Sequence, residues 1–252
     1  STLFPYTTLF RSTNFPAGVT LSEERRPQVI EICRRHHILI IEDNPYGLLG
    51  FEGQTYTALK TLAPNDVVYL GSFSKIFAPG YRVGWAVAPP PVREKMKLAS
   101  EAAILCPSSV GQYSISMYLD RFDWRQQIED FRGMYRGRRD AMVSALEEFM
   151  PMCTWNVPDG GFYVWVGLPD GLDAKDMLPR AVTNLVAYVS GTAFYAGGRS
   201  GRDHVRLSFC YPEPVEIREG VHRLSEVVLQ DLELVRLFGP THSNDAVGVI
   251  SS

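Results

Sequence analysis

The sequence predicts an α/β fold in which a sheet covered by helices on both faces is followed by a smaller α+β unit. In the first half, short and continuously apolar runs alternate with helical patterns, as in a sheet packed between helices. After residue 150, short strand-like runs and two helical patterns form a second group. A chain of 252 residues with 45% hydrophobic content is long enough for one to two domains with a buried core.

The first predicted helix covers "LSEERRPQVIEICRRHH", with Ser22 as its N-cap and Pro27 in the first turn. The apolar run "ILIIEDNPYG" follows as a buried strand that ends in a polar turn. Two further runs, "VVYLGSF" and "VGWAVAP", have the same character. Because such strands are apolar along their whole length, we expect them inside a sheet covered on both faces. Ligands of open α/β sheets bind where strands end, so the site is expected there.

Helical patterns dominate from Val92 onwards, and the stretch from Trp124 to Met150 is long enough to bridge two domains. The later strands are predicted in "CTWNVPDGGFYVWVGLP", "LVAYVSG" and "HVRLSFC", and the later helices in "AKDMLPRAV" and "EPVEIREGVHRLSEVVLQDLELV". The domains are therefore predicted as a partial large domain at 13–122, a bridging helix with a small C-terminal domain at 123–239, and a flexible tail at 240–252.

Composition argues against several classes of function. A net charge of -3 lacks the basic field that a nucleic-acid surface needs, and no apolar run reaches the length of a membrane span. Four scattered cysteines form no CxxC pair, so neither a zinc site nor a disulfide framework is predicted. We therefore expect a cytoplasmic protein that acts on small molecules without a metal.

The stretch "GSFSKIFAPGYRVGW" places Lys75 directly after a predicted strand. The chain has 20 arginines and only five lysines, so a lysine in apolar surroundings is conspicuous. Desolvation disfavours the ammonium form, and the neutral amine can form a Schiff base with a carbonyl group. Ser72, Ser74 and Arg82 offer hydroxyl groups and a guanidinium that suit a phosphate. Together these residues indicate a cofactor that is a phosphorylated aldehyde.

This motif resembles the lysine segment of the fold type I pyridoxal-phosphate-dependent enzymes, specifically the class I/II aminotransferases. The resemblance implies a large domain built as a three-layer sandwich, here partial, with pyridoxal 5'-phosphate (PLP) as cofactor. It also implies that Lys75 binds PLP covalently, while Ser72, Ser74 and Arg82 hold its phosphate. It extends over nearly all of residues 13–236.

Residues of "IIEDNPYG" match the same family in order and spacing. The resemblance implies that Asp43 pairs with the protonated pyridine nitrogen of PLP, and that the phenol of Tyr46 hydrogen-bonds its 3-oxygen. Glu42 alternates with Asp43 along the strand, so it is expected on the other face in a structural role.

The strand "HVRLSFC" carries Arg206, which matches the family's arginine for the α-carboxylate of the substrate. Arg206 and Ser208 alternate with apolar residues and should share one face of the strand. Three aromatic residues of the preceding hairpin are interpreted as packing residues: Phe162, Tyr163 and Trp165.

The resemblance implies transfer of an amino group from an L-amino acid to a 2-oxo acid. Lys75 would bind the cofactor, give way to the incoming amino acid, and then move a proton. It further implies a homodimer for the full-length protein. Aromatic, aminoadipate-like and branched side chains all remain open as substrates.

The N-terminal stretch "STLFPYTTLFRS" resembles translated adapter sequence, so residues 1–12 are interpreted as non-native and the chain as the later part of a longer enzyme. The family's Asn-Pro-x-Gly turn is imperfect, because Phe15 precedes Pro16 and Asn14 lies one place early. No role is assigned to Asn14.

Three alternatives remain open from the residues. A lyase or decarboxylase could use the same scaffold, because the outcome depends on which bond of Cα is aligned with the cofactor. An aminotransferase-like domain could also serve as the effector domain of a DNA-binding transcriptional regulator, or the chain could be a fragment without activity.

Overall fold

A computed structural model describes residues 6–11, 20–53 and 56–239. Within these ranges the strands are β1 Tyr6–Arg11, β2 Ile38–Asp43, β3 Val67–Ser72, β4 Gly84–Val87, β5 Thr154–Trp155, β6 Tyr163–Gly167, β7 Val189–Ser190 and β8 His204–Ser208. The helices are α1 Arg25–Arg35, α2 Leu59–Leu62, α3 Pro90–Ile104, α4 Ser109–Arg121, α5 Trp124–Phe149, α6 Ala174–Thr183 and α7 Pro214–Phe238. Asn14 and the tail at 240–252 lie outside the described residues.

The chain divides into two compact units, and the division falls inside α5, after Arg136. The predicted boundary at 122/123 lies before this helix. The loop at 158–161, predicted as a hairpin turn of the small domain, belongs to the first unit. The backbone N–H of Phe51 donates to the carbonyl of Asp159 over 2.8 Å, and Gly50 forms an antiparallel bridge with Gly160.

The first unit contains a mixed sheet with the order β1-β2-β3-β4. Strands β1 to β3 are parallel, whereas β4 runs antiparallel to β3. Residues 1–12 were interpreted as non-native, yet β1 lies within that stretch and pairs along β2. The core packs the sheet against α1 and α2, through Ile30, Cys33, Ile40, Leu59, Ala63 and Val67.

Two local predictions for this unit are wrong. The N-cap of α1 is Glu24 instead of Ser22, because Ser22 offers only its backbone carbonyl, which accepts from the N–H of Arg25. Strand β4 was expected to be covered on both faces, but all four of its residues are exposed and it ends the sheet order within the described ranges.

The second unit contains an antiparallel sheet with the order β5-β6-β8-β7. Buried residues of this unit come from alternate positions of β8, from β6, and from the inner face of α7. A reciprocal pair, Glu213 and Glu216, caps the first turn of α7. No helix within the described ranges is long and apolar enough to span a membrane, and no metal-binding cluster of three or more His, Cys, Asp or Glu occurs there.

Candidate active site

Asp43 and Ser72 end two adjacent parallel strands, β2 and β3. Because the carboxyl ends of parallel strands meet at one edge of the sheet, the two residues lie at that edge. The register pairs Asp43 with Leu70, and Ser72 is two residues beyond Leu70. Side chains two apart on a strand share a face, so Asp43 and Ser72 project from the same face of the sheet.

Glu42 projects from the opposite face and has a structural role, as the alternation predicted. It lies opposite Tyr69, and its carboxylate accepts the backbone N–H groups of Leu59 and Lys60, each over 3.1 Å. The guanidinium of Arg26 lies 3.9 Å from this carboxylate, and both side chains are buried. Glu42 therefore joins β2 to the start of α2 and to α1, which fixes the strand end that carries Asp43.

Lys75 lies in a single turn directly after β3. The turn is closed by the N–H of Phe77, which donates to the carbonyl of Phe73 over 2.9 Å. The N–H of Ser74 donates to the hydroxyl oxygen of Ser72 over 3.0 Å. The lysine and both serines are half-buried. The backbone thus holds the three predicted cofactor residues within one short segment at the strand end.

Tyr46 and Arg82 differ in exposure. Tyr46 is buried, and its carbonyl accepts the N–H of Leu49 over 2.8 Å in the turn after β2. Arg82 is exposed, has a left-handed backbone with φ 54°, and donates from its guanidinium to the carbonyl of Pro79 over 3.2 Å. Its role as a phosphate ligand stays a prediction, as do the roles of Asp43, Tyr46, Ser72, Ser74 and Lys75.

Because Gly71 has no side chain, the indole of Trp85 can lie against β3, beside the turn that contains Lys75. Gly71 pairs with Trp85 of β4, and a Cβ atom at Gly71 would lie 2.2 Å from the indole. The indole also packs against the ring of Phe73, with centroids 4.8 Å apart. Any larger residue at Gly71 would displace the tryptophan from its place against β3.

A cavity of about 310 Å³ adjoins the ends of β2 and β3, and its walls include Asn44, Tyr69, Ser72 and Trp85. Burial raises the pKa of the Tyr69 phenol, and the negative charge of Glu42 adds to this, although the Asn44 amide opposes it by donating to the phenol over 3.3 Å. The cavity is therefore lined mainly by apolar groups, among which Asn44, Tyr69 and Ser72 supply uncharged hydrogen-bonding groups.

Arg206 lies in β8, in the interior of the second sheet, and its side chain is held between two aromatic rings. Its guanidinium carbon is 4.0 Å from the centre of the Tyr163 ring and 4.9 Å from that of Phe194. Arg206 is half-buried, whereas Val205 and Leu207 on the other face are buried, as the alternation predicted. The arginine is thus immobilised on the second unit by cation–π contacts.

The contacts of Tyr163 and Phe194 with the guanidinium of Arg206 were not predicted from the sequence. Tyr163 was interpreted as a packing residue, and nothing in the sequence pointed to Phe194. The β6–β8 register places Tyr163 opposite Ser208 and Trp165 opposite Arg206, so Tyr163 is a diagonal neighbour of the arginine. That pairing could have been found from the strand patterns, but the 3₁₀ turn with Phe194 could not.

Residues 8–224 match the protein family described as Aminotransferase class I and II. The chain belongs to this family. It is 41% identical over 220 residues to Aromatic-amino-acid aminotransferase 1 of Thermococcus litoralis, which covers 86% of this chain and 52% of that protein. It also superposes on the crystal structure of Pyrococcus horikoshii kynurenine aminotransferase in complex with PMP, with a TM-score of 0.86 and 41% identity, over 90% of this chain and 57% of that one.

The chain is also similar to a protein that is named as a regulator. The chain is 31% identical to YisV of Bacillus subtilis, named an uncharacterized HTH-type transcriptional regulator, over 84% of this chain and 43% of that protein. The chain therefore spans about half the length of the curated relatives it matches. The neighbours confirm the predicted fold class, an α/β fold type I domain of which this chain contains part, with a further C-terminal unit.

Proposed function

We propose that this chain carries the cofactor-binding lysine and the carboxylate-binding arginine of a PLP-dependent aminotransferase. The observation that carries the proposal is the common location of Asp43, Ser72 and Lys75 at the carboxyl ends of two parallel strands. The PMP complex of the Pyrococcus relative supports PLP as the cofactor.

The residues at the strand ends fit PLP group by group. The carboxylate of Asp43 suits the protonated pyridine nitrogen, and the phenol of Tyr46 suits the 3-oxygen. The amine of Lys75 suits the aldehyde, and hydroxyls such as that of Ser72 together with the guanidinium of Arg82 suit the phosphate. Each polar group of PLP thus has a complementary side chain in the first unit.

When bound, PLP supplies an electron sink that weakens the bonds to Cα of the substrate. Asp43 would hold a proton on the ring nitrogen and so keep the ring electron-poor. Arg206 binds the α-carboxylate in its plane while Tyr163 and Phe194 hold the guanidinium. The amine of Lys75 would accept the proton from Cα as a general base and then, as a general acid, donate it to the cofactor carbon that had carried the aldehyde.

The substrates we propose are an aromatic L-amino acid and a 2-oxo acid acceptor. Two relatives that are 41% identical carry the names aromatic-amino-acid and kynurenine aminotransferase, which supports a large planar donor. A cytoplasmic location is proposed on the four free cysteines, which fit a reducing compartment. A homodimer of the complete enzyme is part of the same proposal.

The test is amino transfer from phenylalanine, tyrosine, tryptophan or kynurenine to 2-oxoglutarate, by the purified chain with PLP. We expect glutamate to form in a 1:1 ratio to the aromatic oxo acid. Lys75→Ala should abolish transfer, whereas Lys97→Ala, a change on the exposed face of α3, should leave it intact. Release of CO₂ from the donor would instead identify a decarboxylase.

A second candidate function is the effector domain of a transcriptional regulator, which the similarity to YisV favours. In that case the chain binds PLP and an amino acid without completing transfer. Binding of PLP together with no glutamate formation from any donor would support this alternative over the aminotransferase.

A further inference from the structure

A cavity of about 240 Å³ lies between α6 and the last turns of α7, inside the second unit. We call it the α6–α7 cavity and define it by the four charged residues of its wall, Asp173, Asp176, Arg180 and Asp231. We propose that it binds an organic ammonium ion, namely a primary amine with an apolar body and no carboxylate. None of the residues that line it belongs to the candidate active site, and the proposal does not depend on catalytic activity.

The carboxylate of Asp231 is the group that points to a ligand. Its side chain is only 5% exposed, and its Oδ2 atom accepts a hydrogen bond from the guanidinium of Arg180 over 2.5 Å. Its Oδ1 atom is buried and has no hydrogen-bond partner within the described ranges. A buried polar atom without a partner is costly, and folded proteins usually supply one from protein, water or ligand. Because Asp231 lines the cavity, a donor bound there could complete this carboxylate.

The phenol of Tyr188 does not supply that donor. Its hydroxyl donates to the carbonyl of Ala174 over 2.6 Å. Burial raises the pKa of this phenol and the negative charge of Asp231 raises it further, although the charge of Arg180 opposes this. The phenol therefore stays protonated at neutral pH, and its one hydrogen is already used.

The charges of the wall favour a cation. The carboxylate of Asp173 accepts from the guanidinium of Arg202, and that of Asp231 accepts from Arg180. Asp176, which is half-buried, adds a third carboxylate to the wall. Two guanidinium groups thus face three carboxylates, which leaves one negative charge in excess among these residues. A cleft with charge of one sign concentrates ligands of the opposite sign.

An α-amino acid fits this wall less well than an amine. Both guanidinium groups already donate to carboxylates, so the carboxylate of an amino acid would meet the excess negative charge. The ammonium group of an amine has three donors, which suit the unfilled oxygen of Asp231 and the carboxylate of Asp176. The ligand class therefore differs from the amino acid that Arg206 is proposed to bind.

The remainder of the wall is mainly apolar and includes Leu172, Met177, Leu234 and Phe238. Leu172 and Met177 are buried, whereas Leu234 is 46% exposed. Small-molecule sites typically combine such walls with a few polar groups that fix orientation. A body of the size of a phenyl ring would remove this apolar surface from water while the ammonium group faces Asp231.

The test is titration of the purified 252-residue chain with phenethylamine at neutral pH, followed by isothermal titration calorimetry. We expect one binding site per chain. Two analogues separate the features of the ligand: 2-phenylethanol replaces the ammonium group by a hydroxyl, and phenylalanine adds a carboxylate. Each should bind about tenfold or more weakly than phenethylamine, because a hydrogen bond to a charged group is lost or a like charge is introduced.

Leu234→Lys places a positive charge on the cavity wall and should weaken binding of phenethylamine about tenfold or more. Leu229→Lys is the matched control, because Leu229 lies on the same helix, is 47% exposed and does not line the cavity. Asp176→Asn removes the excess charge while keeping the shape of the side chain, and should weaken binding about fivefold. Its control is Glu233→Gln, at an exposed residue of α7 outside the wall.

Three results would overturn the proposal. One is the absence of binding at millimolar phenethylamine, which a cavity filled by water alone would give. Another is equal affinity for phenethylamine and 2-phenylethanol, because the ammonium group would then not be recognised. The third is equal affinity of Leu234→Lys and Leu229→Lys for phenethylamine, which would place the ligand elsewhere on the chain.

Discussion

The guanidinium carbon of Arg206 lies 4.0 Å from the centre of the Tyr163 ring, across two antiparallel strands of the second sheet. The ring covers one face of the guanidinium and leaves the N–H groups in its plane to bind a carboxylate. Tyr163 is therefore a positioning residue for Arg206, the arginine that we propose binds the substrate carboxylate.

Tyr163→Ala should raise KM for the amino acid about fivefold, since a partly exposed cation–π contact contributes about 1 kcal/mol. Because the ring acts through Arg206 on the ground state and the transition state alike, kcat should change little. Tyr163→Phe keeps the ring face and should restore the wild-type KM. The measurement is steady-state kinetics with an aromatic donor. An unchanged KM in Tyr163→Ala would show that the ring does not position the arginine.

Arg26→Ala should lower the free energy of unfolding by about 3 kcal/mol or more, because it leaves the carboxylate of Glu42 buried beside an empty site. The guanidinium also donates to the carbonyls of Thr57 and Leu21, at 2.8 and 2.9 Å. Arg25→Ala, at the preceding exposed residue, should change stability little. Urea unfolding followed by circular dichroism compares them, and equal stability of the two variants would contradict a structural role for Arg26.

Asp173 should contribute stability that depends on pH. Burial raises the pKa of its carboxyl, but the Arg202 guanidinium and the N–H groups of Lys175 and Asp176 together hold the pKa below its usual value. A lowered pKa in the folded state means that the carboxylate stabilises the fold above its unfolded pKa of about 3.9, and that this contribution is lost as pH falls through the folded value.

Asp173→Asn should therefore be less stable than the wild type by about 1–2 kcal/mol at pH 7, through weaker capping of α6 and loss of the ion pair. The difference should shrink as pH falls below about 4. Asp170→Asn, at an exposed carboxylate nearby, is the control. Thermal unfolding across pH measures this, and a difference independent of pH would rule out the charged form as its source.

Most of the correct predictions for the candidate site came from the alternation of side chains between the two faces of a strand. It placed Asp43 and Glu42 on opposite faces of β2, and Arg206 opposite the buried Val205 and Leu207, because successive side chains of a strand point to opposite faces. These are local consequences of a two-residue period, and the structure confirms them.

Contacts between distant segments could not be predicted in the same way. The burial of Arg26 beside Glu42 depends on how α1 packs on the sheet, and Phe194 reaches Arg206 from a 3₁₀ turn without periodicity. The exposure of β4 was not predicted either. Its apolar residues indicated a strand covered on both faces, whereas all four of them are exposed.

The most direct measurement of the central claim is trapping of PLP on the protein. The chain is incubated with PLP, reduced with borohydride and digested, and its peptides are analysed by mass spectrometry. We predict a phosphopyridoxyl group on Lys75, with the other four lysines unmodified, and no stoichiometric labelling of Lys75→Arg. Labelling spread over the exposed lysines, or unchanged by Lys75→Arg, would contradict the assignment of Lys75 as the cofactor-binding residue.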